Sequence, residues 1–280
     1  MRFLRAGRRI LPKPLHRWGL YTLRVTEDRV FEKFEILFEQ EKEVRASNNS
    51  ILSADGAGSL GVYPSLGVRD MGRAMVSANP RVTTVLKDGV FWLPQAVDQG
   101  PWRVAGFSPK NAGINYQLGS EVLATPSFSP GSIPAGIFVG TWSPHNWYHW
   151  IIDILPSVFH TRQLPNAFRD YPLLIPEPAL KNPAWLEPLE LVRHGREIVA
   201  LPPEKYVSVD HLIWVDSPTS PGPLPINRTR NGNFRIHGTA MRAYRDHIVS
   251  ELRIPGGPPT RKLFLARRQN GNRPYNQDEL

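Results

Sequence analysis

The chain contains no cysteine, which excludes disulfide bonds, thiolate catalysis and cysteine-ligated zinc. It also contains no apolar run that approaches the ~18 residues of a membrane helix. Residues 1–20 are basic and interrupted by prolines, and they lack the continuous apolar region and the small-residue cleavage site of a signal peptide. These absences lead us to expect a cytoplasmic protein.

Positive charge is what the sequence has in excess. The formal net charge is +9, and 41% of the 280 residues are hydrophobic, enough for a packed core. The basic residues are densest at the two ends: Arg2, Arg5, Arg8, Arg9, Lys13 and Arg17, and then Arg261, Lys262, Arg267, Arg268 and Arg273. Such clusters suit lipid head groups, nucleic acid or substrate phosphates. For the amino-terminal cluster, peripheral contact with the inner membrane and a solvated basic surface stay open, whereas nucleic acid is not expected because no recognition motif is present.

The pattern of apolar residues predicts an α/β fold. Between residues 54 and 139, short apolar runs such as RVTTVL, VFWLP and AGIFVG alternate with turn residues and favour strands. Further on, YPLLIP and HLIWVD are predicted strands that each follow a predicted helix, which indicates a βαβ layer. Residues 236–252 predict a long helix with one apolar stripe, and VFEKFEILFEQEKEV fits helix or strand.

Four segments follow from this pattern. We predict a basic arm and leading segment over residues 1–45 and a main domain over 46–253. The proline- and glycine-rich residues 254–260 predict a linker, and residues 261–280 predict the start of a further domain.

Residues 145–160, HNWYHWIIDILPSVFH, form the first chemically notable stretch. Ser143 and Pro144 are predicted as its N-cap and first helical residue, and Pro156 predicts a kink or a helix end near Leu155. On such a helix His145, His149 and Asp153 would face one side. At ~1.5 Å rise per residue the three span roughly 12 Å, so they cannot all reach one metal ion, and no metal site is predicted.

The pair His149 and Asp153 leaves two interpretations open. A carboxylate one turn from a histidine can hold one ring nitrogen and leave the other to accept a proton near neutral pH. A structural histidine satisfied by the aspartate fits the same spacing. Trp147, Tyr148 and Trp150 are likewise either core residues or aromatic faces for a sugar ring.

A second notable stretch lies at residues 261–280. A short strand, LFLA, leads into a loop with Arg267, Arg268 and Arg273, and Asn276 with Glu279 resembles a helix-capping box. Loops between a strand and a helix N-terminus attract anions, and arginine binds phosphate through paired donors. This loop predicts a phosphorylated ligand, with basic residues at a domain surface as the alternative.

Together the two stretches resemble glycosyltransferase family 61, which includes bacterial capsular-polysaccharide enzymes and eukaryotic transferases acting on N-acetylglucosamine or xylose linkages. The residues that match the first family pattern are Asn146, Trp147, Tyr148, His149, Trp150, Asp153, Leu155 and Pro156. Those that match the second are Leu263 to Ala266, Arg267, Arg268, Arg273, Asn276, Asp278, Glu279 and Leu280, with Gln277 where the family usually has glutamate.

The resemblance implies an inverting glycosyltransferase of the GT-B type, acting in capsular or cell-surface polysaccharide synthesis. The implied fold is an amino-terminal Rossmann-like acceptor-side domain with added β elements, followed by the first strand and helix start of a second Rossmann-like domain. The implied ligands are a nucleotide-sugar donor and a glycan acceptor, with no metal and no further cofactor.

The resemblance also implies roles for individual residues. His149 would be the general base and Asp153 would orient it. Asn146, Tyr148 and Trp150 would bind the acceptor. The three arginines of the second stretch, Arg267, Arg268 and Arg273, would neutralise the leaving diphosphate.

Family members continue beyond this point with a further sheet and a glycine-rich loop that helps to hold the nucleotide. We therefore expect no sugar transfer by these 280 residues alone, with a separate chain as one possible source of the remaining donor domain. The alternative function is a non-catalytic acceptor-side domain that binds glycan or a partner protein.

Overall fold

The computed structural model describes part of the chain, and residues 146–221 are the longest described stretch. The described residues are 21–26, 35–39, 41–42, 62–63, 65–78, 84–87, 90–92, 114–118, 121–124, 126–139, 146–221 and 234–254. Within them, no helix has the length and apolarity needed to cross a bilayer.

Most of the described elements are strands. They are β1 (Tyr21–Thr26), β2 (Glu35–Phe38), β3 (Glu41–Lys42), β4 (Val62–Tyr63), β5 (Leu66–Ser77), β6 (Thr84–Lys87), β7 (Val90–Trp92), β8 (Ile114–Leu118), β9 (Glu121–Ala124), β10 (Phe128–Ile133), β11 (Gly136–Phe138), β12 (Leu173–Pro176), β13 (Ile198–Leu201), β14 (Tyr206–Val215), β15 (Thr219–Pro221) and β16 (Phe234–Ile236).

The helices follow β11 and come late in the chain. They are α1 (Trp147–His149), a π-helix (Trp150–Ile154), α2 (Leu155–His160), two 3₁₀ turns (Thr161–Gln163 and Asn166–Phe168), α3 (Glu177–Leu180), α4 (Pro183–Val192) and α5 (Gly238–Glu251).

One large mixed sheet organises these elements. Its strand order is β13-β12-β11-β14-β5-β6-β7-β1-β9-β8, with β10 paired to β14 and β2 paired to β5. The first four strands of this order are parallel to one another, and β5 then runs antiparallel to β14. The fold is therefore mixed α/β, as the sequence predicts. From β11, the next two strands of the chain, β12 and β13, are added on one side. The following strand, β14, is added on the other side of β11.

Both faces are buried in β11, β12 and the second half of β14. Neighbouring residues of a strand point to opposite faces, so Ile137 packs with the helices α2, α4 and α5 while Phe138 packs with residues of β5 and β6. Ile213 and Trp214 of β14 divide in the same way. Continuous apolar runs such as LLIP are the expected signature of strands that are covered on both sides.

The strands predicted within the described residues are confirmed, and the predicted strand LFLA lies outside the described residues. YPLLIP forms β12, HLIWVD lies in β14, and the runs between residues 54 and 139 contribute β6, β7 and β11. A helix, α4, precedes HLIWVD as predicted, and the strand β13, which was not predicted, lies between α4 and β14. The ambiguous segment near the start forms the strands β2 and β3.

The predicted long helix is α5. It begins at Gly238, two residues later than predicted, because Ile236 still pairs with Thr219 in a two-stranded sheet. His237 caps it: its Nδ1 accepts from the backbone N–H of Ala240 at 3.3 Å. The predicted domain limits stay predictions; β1 and β2, from the predicted leading segment, pair with strands of the large sheet.

Candidate active site

The first notable stretch forms a helical segment that begins at Asn146. The Asn146 backbone is extended, and its side-chain oxygen accepts from the N–H of Tyr148 at 2.9 Å, which satisfies one of the free donors of a helix start. The predicted N-cap at Ser143 was therefore wrong, and Ser143, Pro144 and His145 lie outside the described residues. The Asn146 side chain thus has a structural task, in addition to the acceptor-binding role that the resemblance implies.

Pro156 changes the type of helix without ending it. The backbone N–H of Leu155 donates to the carbonyl of Trp150, five residues earlier, so residues Trp150–Ile154 form a π-helix before α2 begins at Leu155. Proline has no N–H for the carbonyl of Ile152, four residues before it. A threonine hydroxyl from another part of the chain, Thr219 Oγ1, lies 3.1 Å from that carbonyl oxygen. Such π segments often occur at functional sites.

His149 and Asp153 are in direct contact. His149 Nδ1 and Asp153 Oδ2 are 2.6 Å apart, which is the contact expected for residues one helical turn apart. The Asp153 side chain is 1% exposed and that of His149 22% exposed. Within the described part of the chain, the hydrogen bond to Asp153 occupies Nδ1 and leaves Nε2 of the ring open.

The second oxygen of the Asp153 carboxyl group is also bound. Thr219 Oγ1 donates to Asp153 Oδ1 across 66 residues of sequence. Burial raises the pKa of Asp153 above its ordinary value, although the hydrogen bonds from His149 and Thr219 and the charge of His149 act in the opposite direction. A buried carboxylate with these two partners holds the imidazole in place and stabilises a positive charge on it.

Of the three aromatic residues around His149, namely Trp147, Tyr148 and Trp150, one is buried and two are exposed. Trp150 is fully buried, stacks on Trp185 with ring centroids 5.4 Å apart, and donates from Nε1 to the Trp185 carbonyl at 3.1 Å. Trp150 therefore belongs to the core, which was one of its two interpretations, and it has no surface to offer an acceptor.

Trp147 and Tyr148 face outward beside the histidine. They are 49% and 54% exposed, and the Tyr148 ring meets the His149 ring edge-on at 5.4 Å. Partial burial raises the pKa of Tyr148, and the charge of Asp153 adds to this, so its hydroxyl stays protonated and can donate a hydrogen bond near neutral pH.

His149 and Asp153 lie close to the point at which the order of the strands in the sheet reverses. The helical segment follows β11, and the residues Asp216 to Thr219 follow β14, the parallel neighbour of β11. Both segments therefore leave the carboxyl edge of the sheet, one from β11 and one from β14. The chain continues from β11 to β12 and β13 on one side, whereas β14 lies on the other side, so the order of the strands reverses between β11 and β14. In open α/β sheets this is the position at which ligands bind.

A second histidine, His211, is also hydrogen-bonded to an aspartate, but it lies at the opposite edge of the sheet and its aspartate is more exposed. His211 lies 2.6 Å from the Tyr171 hydroxyl through Nδ1 and 3.0 Å from Asp70 Oδ2 through Nε2. This group is at the amino-terminal ends of β11 and β12, and the Asp70 side chain is 45% exposed. Burial raises the pKa of Asp70, but hydrogen bonds from His211 and Gly72 outweigh it and leave that pKa lowered. We interpret the group as a connection between β5, β14 and the residues before β12.

Two further sequence predictions concern metal ligands and the arginine loop. In the part of the chain that the structure describes, no three His, Cys, Asp or Glu side chains are arranged to hold a metal ion. Arg267, Arg268 and Arg273 lie outside the described residues, so their proposed phosphate site stays a prediction. Sequence reasoning missed Thr219, for which no local signal exists.

Comparison of the chain with models of known protein families, with curated proteins and with solved structures finds no match. The resemblance to glycosyltransferase family 61 therefore stays a prediction.

Proposed function

We propose that the chain is the acceptor-side part of an inverting glycosyltransferase of the GT-B type, acting in capsular or cell-surface polysaccharide synthesis. The observation that carries this proposal is the contact of His149 with the buried Asp153 at the carboxyl edge of the sheet. Two further features support it: the strand order β13-β12-β11-β14, which is the order of the first four strands of a Rossmann-like sheet, and the exposed aromatic pair beside the histidine.

The reaction would be a single displacement. His149 Nε2 accepts the proton of an acceptor hydroxyl as the oxygen of that hydroxyl bonds to the anomeric carbon of the donor sugar. The bond between the anomeric carbon and the donor diphosphate breaks at the same time, and the diphosphate leaves with the bonding electrons. Asp153 stabilises the resulting imidazolium, and the anomeric configuration inverts because attack and departure occur on opposite faces.

The leaving diphosphate needs positive charge more than it needs a proton. Arg267, Arg268 and Arg273 are the residues we propose for this task, on the basis of the resemblance and of the preference of arginine for phosphate. A nucleotide sugar is the donor, and no metal or further cofactor has a part in the proposed step. In the cell we place the protein in the cytoplasm, with peripheral contact to the inner membrane through its basic amino-terminal residues.

The test is sugar transfer by the protein as it is encoded in its genome, together with any partner chain encoded beside it. A panel of nucleotide sugars is offered with oligosaccharide fragments of bacterial surface polysaccharides, and products are identified by mass spectrometry. NMR of the new linkage then gives its anomeric configuration. We expect a product of inverted configuration; a product of retained configuration would contradict the single-displacement mechanism.

The exposed Trp147 and Tyr148 favour a second candidate, a domain that binds glycan without catalysis. Aromatic faces bind sugar rings by stacking, and this requires no proton transfer. Oligosaccharide binding that is weakened by Trp147→Ala, without transfer from any nucleotide sugar, would support this candidate over the enzyme.

A further inference from the structure

We infer that Thr219 is a positioning residue that acts through Asp153 to keep His149 in the ring tautomer with hydrogen on Nδ1 and a free lone pair on Nε2. The catalytic meaning of this inference rests on the proposed function, because only a base needs the free lone pair. The tautomer itself can be measured without any turnover.

The inference starts from the two oxygens of one buried carboxyl group. Asp153 Oδ2 contacts His149 Nδ1 at 2.6 Å, and Asp153 Oδ1 contacts the hydroxyl of Thr219. Asp153 and Thr219 are each 1% exposed, so water cannot replace either partner. A buried carboxylate oxygen that loses its donor is costly, and protonation is the usual response.

The loop that carries Thr219 is anchored at several points. Asp216 accepts from the backbone N–H of Gly67 at 3.1 Å and pairs with the buried Arg69 at 3.4 Å. Thr219 then pairs with Ile236 in the small β15–β16 sheet. The backbone that brings the Thr219 hydroxyl to Asp153 is therefore also held by residues outside the helical segment.

Ser217 is the neighbouring hydroxyl, and its contacts differ. Its Oγ lies 3.4 Å from the backbone carbonyl oxygen of Asp153 and 3.3 Å from Thr219 Oγ1, and it accepts from the backbone N–H of Thr219 at 3.3 Å. Ser217 therefore supplies a matched control on the same loop.

Pro156 gives the Thr219 hydroxyl a second acceptor. The Ile152 carbonyl has no N–H from residue 156, and Thr219 Oγ1 lies 3.1 Å from it. A hydroxyl carries one hydrogen and can also accept. When Asp153 is ionised, Thr219 can donate to Oδ1. When Asp153 is protonated, the proton can sit on Oδ1 and be donated to Thr219, while Thr219 donates to Ile152.

The consequence is that Oδ2 remains an acceptor in both protonation states of Asp153. His149 can therefore keep hydrogen on Nδ1 and leave Nε2 free in both. Without the Thr219 hydroxyl, a proton on the Asp153 carboxyl group has no partner at Oδ1 and moves to Oδ2, where it is donated to Nδ1 of His149. The ring hydrogen then moves to Nε2, and a neutral imidazole in that tautomer cannot act as a base toward an acceptor hydroxyl. Since burial raises the pKa of Asp153, the protonated form becomes relevant closer to neutral pH.

The experiment is ¹⁵N NMR of the His149 ring at neutral pH in the wild-type chain and in Thr219→Val, Thr219→Ser and Ser217→Ala. Long-range ¹H–¹⁵N spectra distinguish the protonated from the unprotonated nitrogen of a neutral imidazole, and His149→Gln assigns the signals. We expect protonated Nδ1 and unprotonated Nε2 in the wild type, in Thr219→Ser and in Ser217→Ala. In Thr219→Val we expect the two signals to exchange character, with a ¹³C titration of the Asp153 carboxyl group moved to higher pH.

A folded Thr219→Val variant with the wild-type tautomer and an unchanged Asp153 titration would overturn the inference. If Thr219→Val does not fold, the wild type alone still decides. The hydroxyl proton of Thr219 must then exchange slowly enough to give its own resonance, with a nuclear Overhauser effect to the ring hydrogen on Nδ1 or to the Asp153 β-hydrogens. A hydroxyl proton that exchanges as fast as that of an exposed serine would contradict its bond to Asp153.

These results are independent of the transfer assay. A protein that shows the predicted tautomers but no sugar transfer would remove the proposed function and leave the role of Thr219 in place. Transfer activity combined with unchanged tautomers in Thr219→Val would remove the role of Thr219 and leave the proposed function in place.

Discussion

Acid should destabilise this protein in part through one buried histidine, His160, at the end of α2. Its side chain is 1% exposed. The ring packs edge-on against Phe38 and Phe159, at 4.8 and 4.9 Å between centroids, and its Nδ1 lies 3.2 Å from the amide nitrogen of Gln163. Burial lowers the pKa of His160 from 6.5 to about 3, and the positive charge of Arg162 contributes to the shift.

The sign follows from which state binds the proton. Between pH 6.5 and about pH 3 the unfolded chain binds this proton and the folded chain does not. Stability is therefore fully present above pH 6.5 and falls as the pH drops through this window. With ~1.36 kcal/mol per pH unit, His160 alone removes about 2 kcal/mol of unfolding free energy between pH 7 and pH 5.

The assay is denaturant unfolding at several pH values, followed by tryptophan fluorescence, on the wild type and on His160→Phe. Phenylalanine keeps an aromatic ring between Phe38 and Phe159 and cannot be protonated, while the exposed Gln163 amide can turn to water. We expect the wild type to lose about 2 kcal/mol more than the variant from pH 7 to pH 5. His194→Asn serves as a comparison, because it changes a more exposed histidine at a left-handed backbone position that asparagine tolerates. Burial lowers the pKa of His194 as well, so we expect this variant to lose a smaller part of the pH dependence than His160→Phe. Equal pH dependence in the wild type and in His160→Phe would refute the assignment of His160 as a neutral buried residue.

Three further substitutions test the packing around the site. Gly136→Ala would place a Cβ atom 2.6 Å from Cδ2 of Leu174, so we expect a loss of about 1–3 kcal/mol, measured by thermal unfolding; an unchanged melting temperature would contradict the close packing of β11 on β12. Trp150→Phe removes the donor to the Trp185 carbonyl and should cost about 1–3 kcal/mol in denaturant unfolding. Trp147→Phe, at a half-exposed position, is its matched control and should change stability by less than about 0.5 kcal/mol; equal losses in the two variants would show that Trp150 is not the buried ring.

The spacing of residues in the sequence predicted the contact between His149 and Asp153. His149 and Asp153 are four residues apart on one helical segment, and their contact follows from helix geometry. Which aromatic ring is buried did not follow from the sequence. Trp147 and Trp150 are three residues apart and both fit an apolar face. Both rings contact Trp185, but only Trp150 stacks on it and is fully buried.

The rest of the site depends on contacts between distant residues. Thr219 reaches Asp153 from 66 residues away, through a loop anchored by Asp216, and neither residue belongs to a recognisable motif. The π-helix has a local cause in Pro156. The Ile152 carbonyl, which receives no N–H from Pro156, is nevertheless hydrogen-bonded by the same distant threonine. The strand β13 was missed because its four residues, Ile198–Leu201, are only half covered and present no clear period.

The most direct test of the central claim is the rate of the chemical step in His149→Ala. Single-turnover transfer from the donor to an oligosaccharide acceptor is measured by rapid quench, with the protein as encoded in its genome and His194→Asn as the control for a histidine outside the site. Loss of a general base should slow the step by roughly 10²–10⁴-fold, in a variant that is still folded and binds the acceptor, although the buried Asp153 loses a partner and the free energy of unfolding falls. A His149→Ala variant that transfers sugar at the wild-type rate would contradict the assignment of His149 and Asp153 as the catalytic pair.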